Sequence, residues 1–280
     1  MKTIILGAKG MLGGALQEVF PNALALDRAE LDLFDTGAVE ALFEKEQPEL
    51  VINAAAYNAV DQCEEDAAQK EIAFRLNSEV PKQLATLCKS MGATFVHYSS
   101  DYVFAGDGSQ PHAEASKTGP VNVYGESKLA GEQAVQEVGG QYYIIRLSRL
   151  FGKEGQSEVS KRSFIDTMLY LVKEVGKTEL SIVDDEVGSP TYAPDLAAFT
   201  KSLIEEKAES GIYHGANSGE CSWFAFANEA FALASLDVKT TPCGSDAYPR
   251  AAKRPAYTTL NNSKRLPMRS WQDALADYIT

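Results

Sequence analysis

Apolar and polar positions follow two alternating periods along the first half of the chain. Lys2–Leu6 is a short, β-branched apolar run cut off by Gly7, and Met11, Leu12, Ala15, Leu16 and Val19 then recur at helical spacing. This predicts strand, glycine turn and helix, the helix reaching Phe20. A second strand is expected at Ala23–Leu26, a helix at Val39–Glu46 and a third strand at Leu50–Ala54. A long helical pattern runs over Glu64–Met91 with a break near Pro81, followed by strands at Thr94–Tyr98 and Tyr142–Leu147 around a helix at Tyr124–Val138. Strands alternating with helices are the signature of βαβ units, so the expected class is α/β, a Rossmann-like doubly wound parallel sheet.

Beyond Leu150 the periodicity loosens. Residues 157–162 are polar, Phe164–Val175 and Trp223–Ala234 read as helices, and Leu180–Val183 reads as a strand. Gly188–Thr191 is a turn before a helix from Pro194 to about Glu206, and loops are expected around Pro242, Pro249, Pro255 and Pro267. A smaller α/β domain packed on the first accounts for this. The connection from Gly106 to Asn122 exceeds the usual loop length, and such loops tend to border sites.

Composition narrows the function. The chain has 280 residues, 45% hydrophobic and 23% charged, which is globular. No apolar run approaches the roughly 18 residues of a membrane span, and the opening apolar run stops too early for a signal segment. The four cysteines (Cys63, Cys88, Cys221, Cys243) form no C-x-x-C pair, and the three histidines show no ligand spacing. A reducing cytoplasm and no metal site are expected. A net charge of −13 argues against nucleic acid and anionic membranes as partners. Asp35–Glu79 holds eleven acids against three bases, whereas Asp246–Ser270 holds six bases against one acid. The basic segment fits a small anion such as a diphosphate, or a solvated face.

Three features carry chemistry. Gly7-x-x-Gly10-x-x-Gly13 follows the first strand and opens the first helix, where glycines let the backbone approach a pyrophosphate held at the helix N-terminus. Asp27 ends the second strand 20 residues after Gly7, placed for a ribose hydroxyl and therefore NADH. Arg28 beside it and Lys9 are able to neutralise a 2′-phosphate, so NADPH stays open. Asp32 is within reach of the adenine amino group. Tyr124 and Lys128 lie at i and i+4, on one helical face. An ammonium near a phenol lowers its pKa from about 10 and readies it to protonate a carbonyl that is receiving a hydride. Finally, Tyr98-Ser99-Ser100-Asp101-Tyr102 sits at the carboxyl end of the fourth strand, where open α/β sheets bind ligands.

Together with Asn53-Ala54-Ala55-Ala56-Tyr57, these strings resemble the extended short-chain dehydrogenase/reductase superfamily. Val60-Asp61, Tyr98–Phe104, Asn122–Gly125, Val183-Asp184-Asp185, Gly188–Thr191, Gly211–His214 and Lys253-Arg254-Pro255 are similar to the dTDP-4-dehydrorhamnose reductase family, over nearly the whole chain. The resemblance implies NADPH- or NADH-dependent reduction of the 4-keto group of a dTDP-sugar, in dTDP-rhamnose biosynthesis for cell-surface polysaccharide. It implies Tyr124 as general acid, Lys128 as its partner on the nicotinamide ribose, and Ser100 holding the carbonyl where the family usually has threonine. Gly7, Gly10, Met11, Leu12, Gly13, Asp27, Arg28, Asp32, Leu33, Ala55, Ala56, Tyr57 and Tyr98, with Tyr124 and Lys128, are expected to line the cofactor. Ser100, Asp101, Arg149 and Arg254 are expected on the substrate, Arg254 or Lys253 facing the diphosphate. Residues 1–150 with about 187–208 are expected to form the dinucleotide domain, and about 151–186 with 209–280 the sugar-nucleotide domain.

The chain departs from the family pattern at three further places. Arg149 stands where a substrate-touching tryptophan is common, Ser163 replaces an asparagine and Glu186 a glutamine. A 4,6-dehydratase is disfavoured because Asp101 is followed by Tyr102 rather than glutamate. A reductase or 4-epimerase of another nucleotide keto-sugar stays open, as do a non-catalytic NAD(P)-binding regulatory subunit and a homodimer.

Overall fold

The computed structural model describes residues 1–157 and 161–280, so the polar run at 157–162 lies partly outside the described residues. In chain order the elements are β1 (Thr3–Leu6), α1 (Met11–Val19), β2 (Leu24–Leu26), α2 (Thr36–Glu46), β3 (Leu50–Asn53), α3 (Gln62–Glu65), α4 (Ala67–Phe74), α5 (Val80–Met91), β4 (Thr94–Ser100), α6 (Val123–Val138) and β5 (Tyr142–Leu147). Then come β6 (Leu150–Phe151), α7 (Phe164–Lys173), β7 (Glu179–Val183), β8 (Val187–Gly188), β9 (Thr191–Tyr192), α8 (Ala193–Glu205), β10 (Gly211–His214), β11 (Asn217–Ser218), β12 (Cys221–Ser222), α9 (Trp223–Leu233), β13 (Lys239–Cys243), β14 (Met268–Ser270) and α10 (Trp271–Ile279).

Six parallel strands form the central sheet in the order β10-β5-β4-β3-β1-β2. β1 and β3 are buried throughout, as strands covered on both faces must be. Alternation along β4 sends Val96 and Tyr98 into the apolar layer under α1 and α8, while Phe95 faces the layer under α2, α5 and α6. The strand order reverses between β1 and β3, and the crevice at their carboxyl ends is where such sheets bind ligands. Opposite it, α7, α9 and α10 pack around Phe151, Phe226 and Trp271. β10 belongs to the central sheet, so the segment 209–280 expected in the second unit supplies a strand to the first.

Two local expectations change. The helical stretch over 64–91 breaks at Asp66 and passes through a π-helical turn at Arg75–Glu79 before α5, where Pro81 occupies the first turn. Pro81 has no N–H to offer the Asn77 carbonyl four residues back, so the regular ladder is interrupted there. Pro242 lies inside β13 rather than in a loop. Among the described residues β13 pairs only with β7, in a two-stranded sheet, and a strand at a sheet edge tolerates a residue that cannot donate.

Candidate functional site

The glycine loop is shaped by steric necessity. A Cβ on residue 13 falls 2.2 Å from the Gly7 carbonyl oxygen, and one on residue 7 falls 2.6 Å from the Ala55 nitrogen, with Gly7 at φ +76°. Only glycine permits this closeness. Among the described residues α1 starts after Gly10 without a side-chain cap, and its first turn holds no acidic residue, so its backbone donors and dipole suit an anion. A dinucleotide pyrophosphate fits this cradle. Leu12 is buried beneath it, Met11 packs at its rim, and Ala55, Ala56 and Tyr57 continue from β3 across the crevice.

Around the adenosine end the expected residues divide. Asp27 is half-buried at the end of β2, its backbone N–H held by Glu30. Lys9 is engaged by Glu30 at 3.2 Å, whereas Arg28 is exposed with no hydrogen-bond or ion-pair partner among the described residues. Arg28 is therefore the cation free to meet a 2′-phosphate. Asp32 accepts the Phe34 N–H at 2.9 Å in the turn before α2, and Leu33 packs against the core.

α6 starts at an Asn122 cap, whose Oδ1 accepts the Gly125 N–H at 2.8 Å. Gly125 lets the first turn press onto the β4 end, since a Cβ there falls 2.3 Å from the Tyr102 carbonyl oxygen. This brings Tyr124 toward Ser100, close enough for the serine to act on the phenol, while the Ser100 hydroxyl itself donates to Asp101 Oδ1 at 2.9 Å. The Tyr124 hydroxyl also donates to Asn58 Oδ1 at 3.4 Å. Lys128 is buried on the same helical face and donates to the Tyr98 carbonyl at 2.6 Å. Tyr98 thus offers the site its backbone. Its phenol turns away into the core to meet Thr200 at 2.7 Å, because strand alternation puts that side chain under α8, so any part Tyr98 takes in lining the cofactor falls to its backbone.

The expected acidification of Tyr124 is also corrected. Burial raises its pKa above the ordinary value, opposed by the Ser100 hydrogen bond, and burial pushes Lys128 down to about 8, opposed by Glu132. Removing the phenolate from water costs more than the neighbouring groups return, while the ammonium is aimed at a carbonyl. Tyr124 therefore stays protonated at neutral pH, the form a proton donor needs.

The four expected substrate residues separate. Ser100 stands at the site. Asp101, buried, accepts hydroxyls from Thr258 at 2.6 Å, Ser148 at 2.7 Å and Ser100 at 2.9 Å, so its carboxylate ties three segments together rather than facing a sugar. Arg149 adopts φ +47° and donates to the carbonyls of Cys221 and Glu186, each at 2.7 Å, with its guanidinium 3.9 Å above the Trp223 ring. That cation braces the second unit. Arg254 forks onto Asp61 at 3.0 and 2.7 Å, and the Ala252 N–H adds a third bond to the same carboxylate. Burial alone would raise the Asp61 pKa, yet Arg254 and this N–H hold it below the usual range. The basic segment clasps the acidic one, while Lys253 beside it is exposed.

Sequence reasoning missed Asn58 and Asn77. Asn58 directly follows the Ala-Ala-Ala-Tyr string, a usable signal. Asn77 holds the Tyr57 backbone at 2.9 and 3.1 Å and the Ser127 hydroxyl at 3.0 Å. Its only signal is an amide four residues before Pro81. Ser163 caps α7 in a reciprocal box with Asp166, and Glu186 takes the Trp223 indole N–H at 3.0 Å and an ion pair from Arg250.

With this geometry in hand, residues 1–280 match the family described as RmlD substrate binding domain. A dTDP-4-dehydrorhamnose reductase of Streptomyces griseus is 37% identical over 289 residues, covering 98% of this chain and 91% of that protein. The crystal structure of a dTDP-4-dehydrorhamnose reductase from Clostridium acetobutylicum superposes with a TM-score of 0.92 at 38% identity, over 100% of this chain and 98% of that one. The Bacillus anthracis reductase, solved in complex with NADP, gives 0.92 at 36% identity over 99% of both chains.

Proposed function

The chain belongs to the RmlD substrate binding domain family of dTDP-4-dehydrorhamnose reductases, and from that membership we propose that it reduces the 4-keto group of dTDP-4-dehydro-L-rhamnose with NADPH or NADH, giving dTDP-L-rhamnose. The observation carrying this reading is the convergence of Ser100, at the carboxyl end of β4, with Tyr124 and Lys128 on the buried face of α6, beside a glycine loop shaped for pyrophosphate. The reduced dinucleotide, when bound on the α1 N-terminus, supplies the hydride. Ser100 holds the ketone oxygen, and Tyr124 gives its phenolic proton to that oxygen as it becomes negative. Lys128, fixed by the Tyr98 carbonyl one helical turn beyond the phenol, offers its remaining donors to the nicotinamide ribose. Arg28 favours NADPH through its unpaired guanidinium. Four free cysteines fit a cytoplasmic site.

The two-part arrangement proposed is a dinucleotide unit over residues 1–150 and about 187–208, with the sugar-nucleotide unit from the remainder, β10 excepted. The Arg254–Asp61 clasp keeps the second unit against the β3 end of the first.

Turnover tests the reading directly. Purified protein with dTDP-4-dehydro-L-rhamnose should consume NADPH or NADH with one dTDP-L-rhamnose formed per cofactor oxidised. Cofactor binding without turnover on this or any related keto-sugar nucleotide points to a regulatory subunit, and net isomerisation without oxidation points to an epimerase.

The pH profile gives a second check. Below about 8 Lys128 carries its charge and above it the charge is lost, while Tyr124 remains protonated throughout. kcat/KM is therefore expected to decline from about pH 8 upward. A profile flat to roughly pH 10, the ordinary lysine range, contradicts this role for Lys128.

A further inference from the structure

Tyr102 stands at the site and takes no part in the proton transfer. It lies two residues beyond Ser100 in the 3-10 turn Asp101–Val103, and its N–H donates to the Ser100 Oγ at 3.2 Å. Its carbonyl supports the first turn of α6 at Gly125. Its ring meets Tyr124 edge to face, with centroids 5.6 Å apart and planes at 80°. The backbone of Tyr102 is thus pinned between the hydroxyl proposed to hold the ketone and the phenol proposed to protonate it.

The hydroxyl of Tyr102 has a different environment. Among the described residues it makes no hydrogen bond. Asp101, Arg254, Glu186 and Arg149 all act on it electrostatically, and it acts on Arg250. Each of those charges is already committed. Asp101 accepts three hydroxyls, Arg254 is forked on Asp61, Arg149 holds two backbone carbonyls, and Arg250 pairs with Glu186. Burial pushes the Tyr102 pKa up to about 12, so the group is a neutral O–H donor. A wall whose charges are mutually satisfied has little attraction left for a diphosphate, and a single unused neutral donor suits an uncharged oxygen.

We infer that the Tyr102 hydroxyl hydrogen-bonds the sugar hydroxyl on the carbon adjacent to the ketone, making Tyr102 a specificity-determining residue for that substituent. The inference rests on the keto-sugar reading above. It adds a contact beside Ser100 and Tyr124 that orients the ring, so that the ketone carbon is presented in one pose.

The test pairs Tyr102→Phe, which keeps the ring and its contact with Tyr124, with a substrate lacking that hydroxyl, 3-deoxy dTDP-4-dehydro-L-rhamnose. With the parent substrate the variant is expected to lose roughly tenfold in kcat/KM, the usual consequence of removing one hydrogen-bond partner. Its NADPH affinity and its affinity for dTDP alone should be unchanged. Wild type should lose a similar factor on the deoxy substrate, and Tyr102→Phe should lose nothing further. A full deoxy penalty persisting in the variant overturns the inference, as does unchanged kcat/KM on the parent. Weakened dTDP binding also overturns it, in favour of a diphosphate contact. Absence of turnover by wild type on the parent sugar instead removes the keto-sugar reading itself.

Discussion

Tyr124→Phe is expected to lower kcat by about 10²- to 10⁴-fold, the usual contribution of a positioned proton donor. The substitution removes one oxygen and leaves the ring, its edge contact with Tyr102 and the helix around it intact. Cofactor titration should give the wild-type affinity, because the glycine loop and the α1 N-terminus are untouched. Stopped-flow measurement under saturating cofactor and substrate separates the chemical step from release. A loss confined to severalfold means that the proton comes from elsewhere, with a solvent path to the ketone oxygen as the next candidate.

Arg146→Leu is expected to destabilise the fold by about 3–5 kcal/mol, with the melting temperature falling by roughly 10 °C. Arg146 on β5 meets Glu132 on α6 through two hydrogen bonds of 2.8 and 2.7 Å, and the two side chains are 3% and 1% exposed. A third bond, at 3.2 Å, runs from Arg146 to the Glu114 carbonyl of the long loop, and the guanidinium sits over Phe104. Removing the arginine strands a carboxylate where water cannot reach it, and that penalty supplies most of the loss. The double variant Glu132→Leu/Arg146→Leu should therefore recover much of the stability, because no buried charge is left behind. Denaturant midpoints for both variants decide the matter. A double variant no more stable than the single one sinks the desolvation account. The pair also bears on function, since it anchors the helix carrying Tyr124 and Lys128 to the sheet.

The long connection between Gly106 and Asn122 lies over this same region. His112 bridges to Leu260, its ring stacks on Phe104 at 4.1 Å, and Glu114 accepts the Ser263 N–H. Asn122, which caps α6, also donates to the Lys253 carbonyl at 2.7 Å. The loop therefore links the start of the catalytic helix to the C-terminal segment that carries Arg254. Its length reflects this span.

The features legible in the chain were those set by neighbours close in sequence. Periodicity places β5 at its observed limits and α6 within one residue of its start, because it reports directly which face is buried. The glycine spacing identified the turn after β1 for a steric reason that holds regardless of what surrounds it. The i and i+4 placement of Tyr124 and Lys128 follows from helix geometry alone.

What the charges of those residues do was decided by the tertiary structure. Arg254 and Asp61 are separated by 193 positions and Asp101 and Thr258 by 157, so no local pattern announces either pair. Arg149 reads as an exchanged substrate contact in sequence and becomes a brace because two distant carbonyls and the Trp223 ring converge on it. The same holds for the phenol of Tyr124. The sequence placed it one helical turn from an ammonium, but its proton affinity is governed by burial, and burial exists only once β4, α6 and the turn after β4 have closed around it. Periodicity and steric spacing are local and survive in the linear chain, whereas desolvation and ion pairing depend on partners that folding brings together.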